Sequence, residues 1–121
     1  MLYTMLRAKI HGATITDLQL YYEGSITIDR ELIEKVGIKP YEKVQVLNLN
    51  NGSRIETYVI PGKKGEICLN GPAARTGMLG DKLIIIAYST ITEEELKDFE
   101  IKAIYLDENN RIKEEKKWKV L

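Results

Sequence analysis

Residues 43–60 read KVQVLNLNNGSRIETYVI, two runs of alternating character on either side of Asn51-Gly52. Side chains on a strand alternate between faces, so Val44 and Val46 fall on one side and Lys43 and Gln45 on the other. Asn-Gly suits the positive φ that a type I′ turn needs at both central positions. The stretch therefore predicts a hairpin, with strands over Lys43–Leu49 and Ser53–Ile60. On the second strand Arg54 and Tyr58, four residues apart, share a face, and Thr57 takes the other. A hairpin at the centre of the chain makes a mainly β fold the starting expectation.

The flanks extend it. Before the hairpin, Asp29 is a good N-cap for a helix of two turns carrying Leu32, Ile33 and Val36 at helical spacing. Gly37 fits the left-handed position after it, and Pro40 blocks continuation. Ile26-Thr27-Ile28, Thr14–Tyr22 and residues 2–11 have strand composition, with Arg7, Lys9 and His11 on one face of the last. After the hairpin, Pro61-Gly62 is expected to end the return strand. Glu66–Leu69 makes another strand. Asn70-Gly71-Pro72-Ala73-Ala74-Arg75 can open a helical turn, with Pro72 early in it. Lys82–Tyr88 is the most apolar run and is expected to be buried on both faces. Thr92-Glu93-Glu94-Glu95 has a capping-box pattern. Phe99–Leu106 is a strand, Asp107–Asn110 a turn, and the Lys-rich segment from Arg111 either a partner strand or a solvated tail. Six to eight short strands with two short helices point to one small β-barrel or sandwich domain.

Composition narrows the function. The chain has 121 residues, 44% hydrophobic and 30% charged, with zero formal net charge. A phosphate-tracking protein carries a basic excess, so nucleic acid is not an expected partner. One cysteine and one histidine argue against a Cys/His metal site, and Cys68, between Ile67 and Leu69, reads as a buried, inert thiol. The longest apolar run is too short to span a bilayer, and no targeting segment is visible; a cytoplasmic protein with no membrane association is expected.

Upstream of the helix lies YYEGSITID, residues 21–29. Gly24-Ser25 alone is an ordinary turn dipeptide. Lys9 alone is a solvated lysine, His11 a strand end, Arg54 a hairpin surface residue, Tyr58 core packing and Asn70-Gly71 a turn.

In this order, however, the segments MLRAKIHGATIT, YYEGSITID, NGSRIETYVI, ICLNGPAAR and GDKLIIIAY resemble the pyruvoyl-dependent aspartate 1-decarboxylases, over about residues 1–106. The resemblance implies a double-psi β-barrel and a homotetramer. It implies loss of the α-carboxylate of L-aspartate as CO₂, giving β-alanine for pantothenate synthesis. A single domain, 1–121, would cut itself between Gly24 and Ser25 into chains 1–24 and 25–121. Ser25 would become a pyruvoyl group that forms a Schiff base with the substrate, with neither metal nor pyridoxal phosphate. Processing is assigned to Gly24, Ser25 and Thr57, and proton donation to Tyr58. Substrate binding is assigned to Lys9, Arg54, Thr57, Asn70, Gly71, Pro72 and Ala73, with His11 and Tyr22 nearby. The family loop most often reads Asn-Gly-Ala-Ala-Ala. Pro72 departs from it and has no N–H, so Gly71 and Ala73 are the expected donors. The alternative is a non-enzymatic swapped-hairpin barrel that binds DNA, since Val36–Val44 also resembles the opening of such modules. Zero net charge weighs against it.

Overall fold

A computed structural model describes residues 1–121. Nine strands form one sheet: β1 Leu2–Thr14, β2 Asp17–Gln19, β3 Ser25–Asp29, β4 Lys43–Asn48, β5 Arg54–Gly62, β6 Ile67–Asn70, β7 Lys82–Thr92, β8 Glu100–Leu106 and β9 Ile112–Lys119. Their spatial order is β2-β6-β3-β5-β4-β7-β1-β8-β9. This is no meander. β1 runs parallel to β8, β2 to β6 and β3 to β5, and the other neighbours are antiparallel. The sheet encloses one core of 22 buried residues, rich in Ile and Val from alternate strand positions, as the mainly β expectation requires.

The helix α1, Arg30–Val36, forms where its caps predict. The Asp29 carboxylate accepts from the Glu31 N–H at 2.9 Å, and Gly37 closes the helix with φ of 80°. Leu32, Ile33 and Val36 are buried. A 3₁₀ turn spans Gly71–Thr76, and a second spans Glu95–Asp98. The capping box before the second is formed: Thr92 N–H donates to Glu95 Oε1, and Glu95 N–H to Thr92 Oγ1.

Four local expectations need correction. Thr14–Tyr22 is not one strand; only Asp17–Gln19 pairs, and Leu20–Gly24 leave the sheet. The central hairpin forms, but only Gly52 in its turn has positive φ, so the turn is not type I′. Pro61-Gly62 does not end β5, because both residues pair with β3. Strand β7 is buried on one face only: Leu83, Ile85 and Ala87 point into the core, while Ile84 and Ile86 are half-buried. The segment from Arg111 is a true strand paired along β8.

Candidate active site

Ser25 is the first residue of β3 and is fully buried. Register explains its neighbours. β3 runs antiparallel to β6, with Ser25 opposite Asn70 and Thr27 opposite Cys68. Residues two apart on a strand face the same way, so these four side chains share one side of the seam. Ile26, Ile28, Ile67 and Leu69 take the other side and join the core. Asn70 Nδ2 donates to Ser25 Oγ at 2.8 Å and to Thr27 Oγ1 at 2.9 Å. Cys68 Sγ donates to Asn70 Oδ1 at 3.2 Å. Burial pushes the Cys68 thiol up to about 11.

Gly24, just before Ser25, faces a groove of about 460 Å³. Thr57, Tyr58, Pro72 and Ala73 line it, with Ile55, Glu56 and Thr76. The groove exists because β5 pairs with β3 only from Val59 onward, which leaves residues 55–58 facing the departing 20–24 segment. The 3₁₀ turn closes the other wall. Gly71 there has φ of 61°, and a Cβ on it would lie 2.5 Å from the Tyr22 carbonyl oxygen and 2.9 Å from Gly24 N. Only glycine lets the turn come so close to the Gly24–Ser25 bond. The Pro72 ring rests at ordinary contact distance from the place a Gly24 Cβ would occupy, and Pro72 is exposed. Tyr58 stacks on Tyr41 with ring centroids 6.2 Å apart, and the Glu56 carboxylate pairs with Lys43 at 3.4 Å. Tyr22 is exposed on the segment that carries Gly24.

Lys9, His11 and Arg54 do not line this groove. They occupy the outer face of the sheet, where two rows cross four strands: Lys9–Ile86–Gln45–Glu56 and His11–Ile84–Leu47–Arg54. Arg54 is exposed and donates to Gln45 Oε1 at 2.9 Å. His11 packs against Tyr105 at 5.3 Å beside a second groove, which Lys82 and Lys113 also line. Burial first, then the charges of Lys9 and Lys113, hold its imidazole below the ordinary value. Face-sharing of Lys9 with His11 and of Arg54 with Tyr58 is legible from period two. Thr27 and Cys68, which meet Asn70 here, are not legible from the sequence. Their spacing from Ser25 and Asn70 is the only signal, and it means nothing until β3 and β6 are paired.

Comparison with known proteins gives the family. The family model described as aspartate decarboxylase matches residues 1–113. The chain is 58% identical over 109 residues to the aspartate 1-decarboxylase of Desulfitobacterium hafniense, covering 88% of this chain and 86% of that one. It is 55% identical over 111 residues to that of Salinibacter ruber, covering 90% and 76%. It is 52% identical over 116 residues to that of Leptospira biflexa, covering 93% and 98%. With a family match over nearly its whole length and relatives more than half identical, the chain belongs to the aspartate decarboxylase family.

Proposed function

We propose that this protein decarboxylates L-aspartate at its α-carbon, releasing CO₂ and β-alanine, with a pyruvoyl group made from its own Ser25. The observation that carries the reading is the setting of the Gly24–Ser25 bond. Its hydroxyl is buried and held by Asn70, and Gly24 borders an open groove.

Formation of the group uses atoms already in place. Ser25 Oγ attacks the Gly24 carbonyl carbon, the Ser25 nitrogen leaves it, and the amide becomes an ester. Loss of the Ser25 Cα proton then breaks the Cβ–Oγ bond. Gly24 departs as a carboxylate, ending chain 1–24. The unsaturated residue left at position 25 takes up water and releases ammonia, so chain 25–121 begins with a ketone. The Thr57 hydroxyl, on the same groove as Gly24, is the donor we assign to the oxyanion formed in the first step. Gly24, Ser25 and Thr57 are thus the processing residues.

The residues present fit such a group: the close approach of Gly71 and the Asn70 amide make a tight, polar cradle at position 25. A ketone there supplies the electron sink that loss of an α-carboxylate requires and that no ordinary side chain provides. Asn70, Gly71 and Ala73 are assigned to the substrate, Ala73 from the groove wall, and Tyr58 gives a proton to the substrate α-carbon, since a phenol holds its proton at neutral pH. Lys9 and Arg54 bind carboxylates. No cation lines the groove of a single chain, whereas aspartate brings two carboxylates. The outer face bearing Lys9 and Arg54 therefore meets the groove of a neighbouring copy, within a cytoplasmic homotetramer.

The test is intact mass spectrometry of the denatured protein beside an assay for β-alanine. The parent is expected as two species, 1–24 and a modified 25–121, and Ser25→Ala as one inactive chain. Two species from Ser25→Ala, or full-length parent with full activity, would overturn the reading.

A further inference from the structure

We infer that Cys68 is a positioning residue for maturation: it fixes the Asn70 carboxamide with the N–H end toward Ser25. The inference rests on the self-cleavage proposed above. A carboxamide has two ends of nearly equal shape, and its neighbours decide which way it points. The Ser25 and Thr27 hydroxyls cannot decide, because a hydroxyl donates or accepts equally well. Cys68 can. A thiol is a weak donor and a poorer acceptor, so it favours the oxygen end, and Cys68 Sγ lies 3.2 Å from Asn70 Oδ1. The other acceptor within reach, the Leu69 carbonyl oxygen, is at 3.7 Å. Because burial raises the thiol to about 11, it keeps its proton across the neutral range and remains a donor.

The orientation matters to the chemistry. Nδ2 lies 2.8 Å from Ser25 Oγ. A donor there stabilises the oxygen as its proton leaves for attack on Gly24, and again as the Cβ–Oγ bond breaks and charge gathers on that oxygen. A turned carboxamide would set Oδ1 against the same developing charge. Cys68 does not line the groove, and its side-chain bond toward Ser25 runs through Asn70.

The experiment follows the appearance of the 1–24 fragment in freshly purified precursor for the parent, Cys68→Ala and Cys68→Ser. Serine keeps a donor and alanine removes it. Cleavage is expected to slow about tenfold in Cys68→Ala, the loss of one buried hydrogen bond. It is expected to slow in Cys68→Ser as well, because a hydroxyl faces either end of the carboxamide equally well, with the two variants melting together. Parental cleavage in either variant overturns the inference. A second measurement uses the uncleavable Ser25→Ala chain, with and without Cys68→Ala, and follows the nuclear Overhauser contact between the Asn70 Nδ2 protons and Thr27. Its loss with Cys68→Ala supports the inference, and its persistence overturns it. If the parent itself stays full length, the self-cleavage reading fails, and this second measurement alone decides whether the thiol sets the amide.

Discussion

The β3–β6 seam and the outer face of β1, β7, β4 and β5 would carry different halves of the proposed chemistry. At the seam, Ser25 and Asn70 are buried, and each has its hydrogen bonds from within the chain. On the outer face, Arg54 and Glu56 are exposed and Lys9 half-buried, above half-buried Leu47, Ile84 and Ile86. On the proposed reading the first region would act within one chain, because the Ser25 hydroxyl and the Gly24 carbonyl that it would attack are neighbours in sequence. The second offers apolar surface and two cations, Lys9 and Arg54, that have no carboxylate partner in the chain. The proposed function would thus assign making the cofactor to one fold and gripping a dianionic substrate to an assembly.

The largest effect that can break this contrast is complementation in trans. Ser25→Ala lacks the cofactor, and Arg54→Ala lacks the carboxylate partner; each alone is expected to have almost no activity. Unfolded together and refolded as mixed oligomers, they should regain about a quarter of the sites, those that draw the seam and the arginine from the right copies. Activity that stays at the level of the separate variants would return Arg54 to its own chain's site. The mass spectrum adds a second check, since Arg54→Ala is expected to cleave normally.

Tyr58→Phe gives a smaller loss within the groove. Removing a positioned proton donor is expected to lower kcat about 10²-fold while cleavage at Gly24 proceeds. The ring stays stacked on Tyr41, so the fold is not at risk. Unchanged turnover would remove Tyr58 as the acid, and failed cleavage would move it to the maturation step.

What could be seen in the sequence follows the range of the forces involved. The helix at Asp29 and the Thr92–Glu95 box were legible because a cap is satisfied within three residues. The central hairpin was legible from its turn and alternation, although the turn type depends on how Asn48 ties back the loop through the Asn50 and Asn51 N–H groups. TITDLQLYY misleads for the opposite reason. Its composition suits a strand, but Thr16 Oγ1 donates to the Ile67 carbonyl, and the residues after Gln19 turn away to bring Gly24 to the groove. Pairings between distant strands stayed hidden. Period two gave the face of Lys9 and of Arg54, not that β7 and β4 join them in one sheet face. Nor could it show that β6 meets β3 in a register that sets Cys68 opposite Thr27.

The smallest predicted effect tests whether the seam depends on the helix that follows it. Asp29 ends β3, and its carboxylate spans two elements: one oxygen caps α1 at Glu31 N, and the other accepts from Gly65 N at 2.7 Å. Asp29→Ala removes the cap and leaves the Gly65 N–H without that acceptor. The expected loss is about 2 kcal/mol of stability, read by urea unfolding at fixed protein concentration with an unchanged m-value. Cleavage should keep its parental rate, because Ser25 is held from the other end of the strand by Asn70. Asp29→Asn should keep one of the two bonds, since its Nδ2 cannot accept, and lose about 1 kcal/mol. Slowed cleavage in Asp29→Ala would mean that the geometry of the seam is set by the whole β3–α1 unit rather than by its pairing with β6.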